Sequence, residues 1–106
     1  MTQFILILIT AGSPEEGETI AQSLVSNHLA ACTNIVPSIQ SIFFWEGKTD
    51  QATEVLLMVK SKRALLDKII EHVKNIHTYT VPEIIALPLI GGSEDYLKWV
   101  EENTTS

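Results

Sequence analysis

The segment with the most chemically active side chains is residues 77–83, which read His-Thr-Tyr-Thr-Val-Pro-Glu. It brings together an imidazole (His77), a phenol (Tyr79) and a carboxylate (Glu83). The segment separates a helical pattern from an apolar run, so we expect a loop, and loops on a rigid scaffold often carry function. The structural alternative is that His77 ends a helix, where the dipole favours it, and that Tyr79 packs against the body of the protein.

A second candidate is Cys32, the only cysteine in the chain. Thiolates favour soft metal ions such as Cu(I), so Cys32 is a candidate ligand if the fold or another subunit supplies further donors. It also fits the role of a small buried apolar side chain. A nucleophilic pair of Cys32 with His28 or His77 lacks an orienting third group. We expect His28 and His72 at the surface or at helix ends.

No catalytic or nucleotide-binding motif is present. The patterns G-x-S-x-G, H-E-x-x-H and C-x-x-C are absent, and Gly91-Gly92 lacks the strand, glycines and helix of a dinucleotide fingerprint. The net charge is −6 and no stripe of basic residues exists, which argues against a nucleic-acid partner. The sequence therefore predicts a protein that is not an enzyme and has no tightly bound cofactor.

The cysteine count and the first residues indicate the compartment. A single cysteine excludes an intramolecular disulfide and fits a reducing compartment. The apolar run at residues 4–9 lacks a basic region before it and is too short to span a membrane. We expect a cytoplasmic protein that does not bind membranes.

Two long β runs at the centre of the chain predict a hairpin. Residues 35–45 and 55–59 are rich in β-branched and aromatic side chains, and turn-forming residues lie at 46–50. At about 3.3 Å per residue the first strand spans roughly 35 Å, whereas a helix of about 14 residues spans only about 21 Å. The hairpin should therefore extend beyond the body of the protein. Pro37 cannot donate to a strand ladder, so it predicts an edge strand or a bulge.

The end of this hairpin is aromatic. Phe43, Phe44 and Trp45 are consecutive, so strand alternation makes both faces apolar there. An apolar hairpin end indicates a second protein surface. The alternative is a local aromatic cluster that shields the turn, and Trp45 could also stack on a small ligand.

The first part of the chain predicts a strand followed by a helix. Residues 4–10 form an apolar run of strand length. Ser13 is a suitable N-cap, Pro14 suits the first helical position, and Glu16 would complete a capping box. This helix should end near residues 27–28.

The second half of the chain repeats the pattern. Ser61 is a candidate cap for a helix that runs to about His77. A fourth strand is expected at residues 83–90. Ser93 then begins a short C-terminal helix, in which the spacing of Trp99 predicts a core position.

The order β-α-β-β-α-β-α predicts one domain over residues 1–106. It is typical of an α+β, ferredoxin-like antiparallel sheet with two helices on one face. The other face would be bare, although the strands are apolar on both sides, so we expect sister subunits with cyclic symmetry to cover it. Unfolding would then be linked to dissociation, and apparent stability would be high and rise with concentration.

With these residues in view, the sequence resembles the CutA family of divalent-cation tolerance proteins. The similarity runs from Thr10 to Trp99. It rests on Ala30-Ala31-Cys32, Asn34-Ile35, Ser41-Ile42-Phe43, Trp45-Glu46-Gly47-Lys48, Glu54-Val55-Leu56-Leu57, His77, Tyr79, Val81-Pro82-Glu83-Ile84-Ile85-Ala86-Leu87-Pro88, Tyr96-Leu97 and Trp99.

The resemblance implies a ferredoxin-like subunit, a tight homotrimer similar in architecture to PII signalling proteins, and a link to tolerance of copper and other divalent ions. We expect weak ion binding in clefts between subunits, with Cys32, His77 and Glu83 as candidate ligands and Tyr79 shaping the pocket. Carboxylate and imidazole suit Cu(II) and Zn(II), whereas thiolate suits Cu(I). The other expected cleft or interface residues are Trp45, Phe43, Phe44 and Lys60.

The chain departs from the family pattern in one loop, which usually reads His-Pro-Tyr-Glu-Val-Pro-Glu. Thr78 stands in place of the proline and Thr80 in place of the glutamate. If that glutamate contributes to a site, this chain lacks it. A proline would fix one φ angle, so Thr78 should loosen the loop.

Two other functions remain open at this point. The first is a PII-like signalling module, in which the cleft binds a small anion or metabolite and the loop at residues 77–82 transmits the signal. The candidate anion-binding residues are then Lys48, Lys60, Lys62 and Arg63. The second is a scaffold trimer with no ligand.

Overall fold

The computed structural model describes residues 3–105. The elements are β1 (Phe4–Ala11), α1 (Pro14–Ser26), β2 (Cys32–Trp45), β3 (Lys48–Lys62), a 3-10 turn (Arg63–Leu65), α2 (Leu66–Ile76), β4 (Ile84–Pro88) and α3 (Glu94–Glu102). The four strands form one sheet in the order β2-β3-β1-β4, and every neighbouring pair is antiparallel. This is the ferredoxin-like arrangement, so the predicted fold class is confirmed.

The core lies on one face of this sheet. Strands β1 and β3 alternate, and every second side chain is buried against α1 and α2. The buried side chains that meet there include Ile5, Ile7, Ile9, Val55, Leu57 and Val59 from the strands and Ile20, Leu24, Ile69 and Val73 from the helices. This single apolar layer stabilises the chain.

The opposite face of the sheet, which we call the open face, is also apolar but is not buried. Leu8 lies between Met58 of β3 and Ile85 of β4, and Leu6 lies in the next row beside Leu87. The side chains on β1 and β3 are partly exposed, and those on β4 are exposed. The predicted bare face is therefore present in the single chain.

The start of α1 follows its sequence signals. The Ser13 Oγ accepts a hydrogen bond from the Glu16 N–H at 3.1 Å, and Pro14 occupies the first turn. The predicted capping box is wrong in one respect. The Glu16 carboxylate accepts from the N–H of Gly12 instead of that of Ser13. The side chain thereby fixes the turn that precedes the helix.

Two other expectations are corrected. Ser61 does not cap a helix, because β3 continues to Lys62, and its hydroxyl donates to the Leu29 carbonyl instead. Trp99 is not a core residue: it is 42% exposed and packs at 5.5 Å, ring to ring, against Tyr96. The reason is that α3 buries only Val100 against the rest of the protein.

The hairpin of β2 and β3 has the predicted form. Glu46 and Gly47 both adopt positive φ values, 49° and 83°, which suits the tight turn of a twisted hairpin. Pro37 lies in an edge strand at a register shift between Val36 and Ile39, as its missing N–H requires. At the tip Phe44 is 72% exposed. The longest dimension of the molecule is 44 Å, against 25 and 23 Å in the other directions.

Over residues 3–105, none of the helices combines the length and the apolar character that crossing a bilayer would require.

Candidate functional site

His77 follows directly after α2, and its side chain is fully buried. Its Nε2 lies 2.8 Å from the Thr10 carbonyl oxygen, and its Nδ1 lies 3.0 Å from the Tyr79 N–H. Because a carbonyl only accepts, Nε2 carries the hydrogen and Nδ1 accepts from Tyr79. Both ring nitrogens are therefore engaged within the chain, and His77 ties the loop at residues 77–83 to β1.

Glu16 fixes the same loop from the other side. One carboxylate oxygen accepts from the Gly12 N–H at 3.0 Å, and the other accepts from the Thr78 N–H at 2.8 Å. That second oxygen is 3.4 Å from the His77 Nδ1. Burial alone raises the pKa of Glu16, but the hydrogen bonds from the Thr78 and Gly12 N–H groups outweigh burial and lower the pKa. We call this arrangement of Glu16, Gly12, Thr78 and His77 the Glu16 clamp.

The clamp changes the interpretation of Thr78. The sequence predicts that a threonine loosens the loop where a proline would fix it. In the structure the Thr78 N–H donates to Glu16, and a proline has no N–H to donate. Thr78 therefore gives the loop an anchor that a proline at this position could not provide.

Tyr79 extends from this loop to β3. Its hydroxyl donates to the Glu54 carboxylate at 2.6 Å, and its ring lies 4.7 Å from the His77 ring, measured between centroids. Gly12 leaves room for it, because a Cβ there would lie 3.2 Å from the Tyr79 hydroxyl. Burial, the hydrogen bond to Glu54 and the charges of Glu54 and Glu16 raise the pKa of Tyr79 to about 12. Tyr79 is therefore a donor at neutral pH.

These contacts form the end wall of a cleft between the loop and the hairpin. The cleft has a volume of about 690 Å³. We call it the Glu54 cleft; the side chains that matter for its chemistry are Glu54, Glu83, Tyr79, Phe43, Trp45 and Thr10. The structure thus brings four of the predicted residues, Phe43, Trp45, Tyr79 and Glu83, to one place.

Cys32 and Lys60 lie elsewhere. They are paired across β2 and β3, in the row of the open face that also contains Leu6. The Lys60 Nζ is 4.0 Å from the Cys32 sulfur. Burial and the neighbouring thiol raise the pKa of Tyr96. Phe44 points to the opposite side of the hairpin from Phe43, as the pairing register requires.

Residues 3–105 of one chain do not by themselves assemble a metal site. In the part of the sequence that the structure describes, no three His, Cys, Asp or Glu side chains are grouped so that they could hold a metal ion. The set Cys32, His77 and Glu83 therefore stays a prediction about an assembly of several chains.

The basic residues are also dispersed. Lys62 is paired with Glu101 at 3.1 Å and reaches the Thr104 carbonyl at 3.2 Å. Lys48 begins β3 at the hairpin tip, whereas Lys60 is near the other end of that strand. The residues that line the Glu54 cleft include two carboxylates and none of the candidate anion-binding residues, which are Lys48, Lys60, Lys62 and Arg63.

The sequence analysis did not predict that Glu54 lines the cleft, nor that Glu16 fixes the loop through the clamp. Glu54 had a signal of its own, since it is a lone acidic residue directly before the apolar run at residues 55–59. A charged residue beside a buried strand needs a partner. Its partner, Tyr79, lies 25 positions away, and only the strand register brings the two together.

The comparisons with known proteins agree with one another. A family model described as CutA1 divalent ion tolerance protein matches residues 5–103. The chain is 48% identical over 99 residues to the divalent-cation tolerance protein CutA of Thermus thermophilus, covering 93% of this chain and 96% of that one. It is 47% identical over 100 residues to the chloroplastic protein CutA 1 of Oryza sativa, covering 94% of this chain. The chain spans about half the length of the two plant relatives, 56% in rice and 55% in Arabidopsis thaliana.

Solved structures show the same likeness in three dimensions. The CutA1 structure from Thermus thermophilus superposes with a TM-score of 0.94 at 47% identity, covering 96% of this chain and 99% of that one. The structure of CutA1 from Oryza sativa gives a TM-score of 0.96 at 45% identity, covering 98% of this chain and 95% of that one. The sequence, the sheet order and these superpositions show that the chain belongs to the CutA family of divalent-cation tolerance proteins.

Proposed function

We propose that the protein is a PII-like homotrimer in which neighbouring copies cover the open face of the sheet. The observation that carries this proposal is the row of uncovered apolar side chains around Leu8, Met58 and Ile85. A contiguous exposed apolar surface on a soluble chain is typical of a protein interface. The protruding hairpin, with Phe44 exposed at its tip, is long enough to reach a neighbouring subunit, and cyclic symmetry closes such an assembly.

We further propose that this trimer contributes to tolerance of divalent metal ions, copper in particular, by weak and reversible binding at clefts between subunits and without catalysis. The family name supports the link to divalent cations. Of the predicted ligands, Glu83 is exposed at the Glu54 cleft and has no hydrogen bond to another residue in the described range 3–105. It is therefore the carboxylate that can bind an ion with the least rearrangement.

Each of the other two predicted ligands could bind an ion only after a further change. Cys32 lies on the open face, so it would join a metal site only with groups from a second copy. His77 would have to release its hydrogen bond from the Tyr79 N–H before Nδ1 could bind copper. We place the trimer in the cytoplasm, because a free thiol fits a reducing compartment.

Native mass spectrometry of protein purified without chelator tests the assembly, and we expect three times the chain mass. Copper titration of Cys32→Ser, His77→Ala and Glu83→Gln tests the ligands, with Glu102→Gln on the exposed end of α3 as the matched control. We expect Glu83→Gln to weaken copper binding and the control to leave it unchanged. A monomer would contradict the assembly, and unchanged binding in all three variants would remove the proposed ligands.

A further inference from the structure

His77 does not fit the role of an ion ligand in the chain as it is folded. Its side chain is fully buried, its Nε2 donates to the Thr10 carbonyl, and its Nδ1 accepts from the Tyr79 N–H. The acceptor nitrogen of a neutral imidazole has one lone pair, and the Tyr79 N–H already uses it. An ion at Nδ1 would leave that N–H without its acceptor, which is unfavourable for a buried group. The two predicted roles of His77, ligand and loop anchor, therefore exclude each other.

The hydrogen bond from Nε2 closes the loop after α2 onto β1. The pairing of β1 with β4 ends at Ile9 and Ile84. The next residue of β1 is Thr10, whose carbonyl accepts the hydrogen bond from His77. The loop is therefore attached to two consecutive residues of β1, once at its beginning and once just after its end. Glu83 directly precedes the second attachment, so its position depends on both.

The Glu16 clamp holds the beginning of the loop from the helix layer. The Glu16 carboxylate accepts from the Thr78 N–H at 2.8 Å and lies 3.4 Å from the His77 Nδ1. A metal ion in a protein site takes several ligands. In the part of the chain that the structure describes, His77 does not belong to any group of three side chains that could hold such an ion. The surroundings of the ring are those of an anchor.

We propose that His77 positions Glu83 by anchoring the loop and does not bind the ion itself. Mutating a side chain that orients a ligand typically changes metal affinity by about 10–100-fold. His77→Ala therefore weakens copper binding although no ligand is removed, and this variant alone would imitate the loss of a ligand. The inference rests on the proposed function in one respect, which is that Glu83 is the ion-binding carboxylate.

The first experiment compares the copper affinities of the full-length native chain, His77→Ala and His77→Gln by competition with a chelator. A glutamine amide has a donor and an acceptor and can replace both hydrogen bonds, whereas it lacks the imidazole that suits copper. We expect His77→Ala to bind about tenfold more weakly and His77→Gln to bind within about twofold of the native chain. His28→Gln removes an exposed imidazole and, as the matched control, should leave binding unchanged. Equal weakening in the two His77 variants overturns the proposal.

The second experiment observes the His77 ring of the native chain by ¹⁵N NMR, with zinc as a diamagnetic divalent ion. The carboxylate carbon of Glu83 reports zinc binding in the same sample. We expect the Glu83 resonance to shift with zinc, whereas the Nδ1 resonance of His77 keeps its position. A saturable shift of Nδ1 overturns the proposal, because His77 is then a ligand, and it leaves the proposed function intact.

A third measurement decides the anchor without any metal. If the native chain binds neither copper nor zinc, the proposed function fails, and amide hydrogen exchange still tests the loop. We expect the Tyr79 amide to exchange at least about tenfold faster in His77→Ala than in the native chain, because it has lost its acceptor. Unchanged exchange of that amide overturns the anchor. Failure of ion binding and failure of the anchor therefore give different results.

Discussion

Two carboxylates contact the loop at residues 77–83 from different elements, and they are satisfied in opposite ways. Glu16 of α1 accepts from two backbone N–H groups and lies beside His77. Glu54 of β3 accepts from a single phenol. The Glu16 carboxylate is stabilised by backbone groups of the same chain, so the role of the Glu16 clamp is structural. Within residues 3–105 the second carboxylate has one neutral donor and lies at a cleft on the open face, so its surroundings depend on what covers that face.

The largest effect should come from breaking the clamp. Glu16→Ala removes the acceptor for two backbone N–H groups. A hydrogen bond to a charged group contributes about 1.5–3 kcal/mol to the net stability of a protein. We expect a loss of about 3 kcal/mol in the free energy of unfolding, measured with urea. Glu15→Ala, an exposed neighbour in the same helical turn, should cost less than about 1 kcal/mol. Similar losses in the two variants would show that the clamp adds nothing.

The next effect concerns Tyr79, which connects the two regions. Tyr79→Phe keeps the ring but leaves Glu54 without a donor, and a buried acceptor without its hydrogen bond costs about 1–3 kcal/mol. We expect about 2 kcal/mol of destabilisation by urea unfolding at neutral pH. Glu54→Gln should change stability by less than about 1 kcal/mol, because the amide oxygen can still accept from Tyr79. A larger loss for Glu54→Gln than for Tyr79→Phe would reverse the roles that we assign.

The clamp also predicts how stability depends on pH. The pKa of Glu16 is lowered from 4.5 in the folded chain, so the stability that it contributes is fully present above pH 4.5 and is lost as pH falls through the folded pKa. The difference in unfolding free energy between the native chain and Glu16→Gln should therefore shrink below pH 4.5. Urea unfolding at several pH values measures it. A difference that grows in acid is incompatible with a lowered pKa.

The smallest effect is a spectroscopic one at the cleft. The pKa of Tyr79 is about 12 in the folded chain, against an ordinary value of 10.0, so its contribution to stability is present below pH 10 and is lost as pH rises to about 12. Glu54→Gln should lower the pKa of Tyr79, because it removes a neighbouring negative charge. Phenolate absorbance measures this in a Tyr96→Phe background, which leaves Tyr79 as the sole tyrosine of the two. An unchanged Tyr79 titration midpoint would mean that the charge of Glu54 does not affect the pKa of Tyr79.

The order of the elements and the local signals could be predicted from the sequence. Ser13 and Pro14 start α1 and Pro37 marks a register shift in an edge strand, because each depends on properties of the residue and its close neighbours. Ser61 was assigned wrongly for a local reason as well, since a serine suits both a helix cap and a strand. The choice depended on how far β3 extends, which is set by its pairing with β1.

The site was predictable only in part. His77, Tyr79 and Glu83 were recognised because they share one loop, whereas the roles of Glu16 and Glu54 depend on contacts between distant segments. The Thr78 N–H reaches Glu16 across 62 positions, and no local pattern encodes that distance. The position of Trp99 was wrong because helical spacing describes a face of a helix but not whether anything covers it.

The most direct test of the contrast between the two carboxylates is a comparison of Glu16→Gln with Glu54→Gln by urea unfolding at neutral pH. We predict a larger loss of unfolding free energy for Glu16→Gln, because an amide cannot accept from both the Gly12 and Thr78 N–H groups, whereas in Glu54→Gln the amide oxygen can still accept from Tyr79. An equal loss in the two variants, or a larger loss in Glu54→Gln, would contradict the claim that Glu16, and not Glu54, is the carboxylate on which the fold of the loop depends.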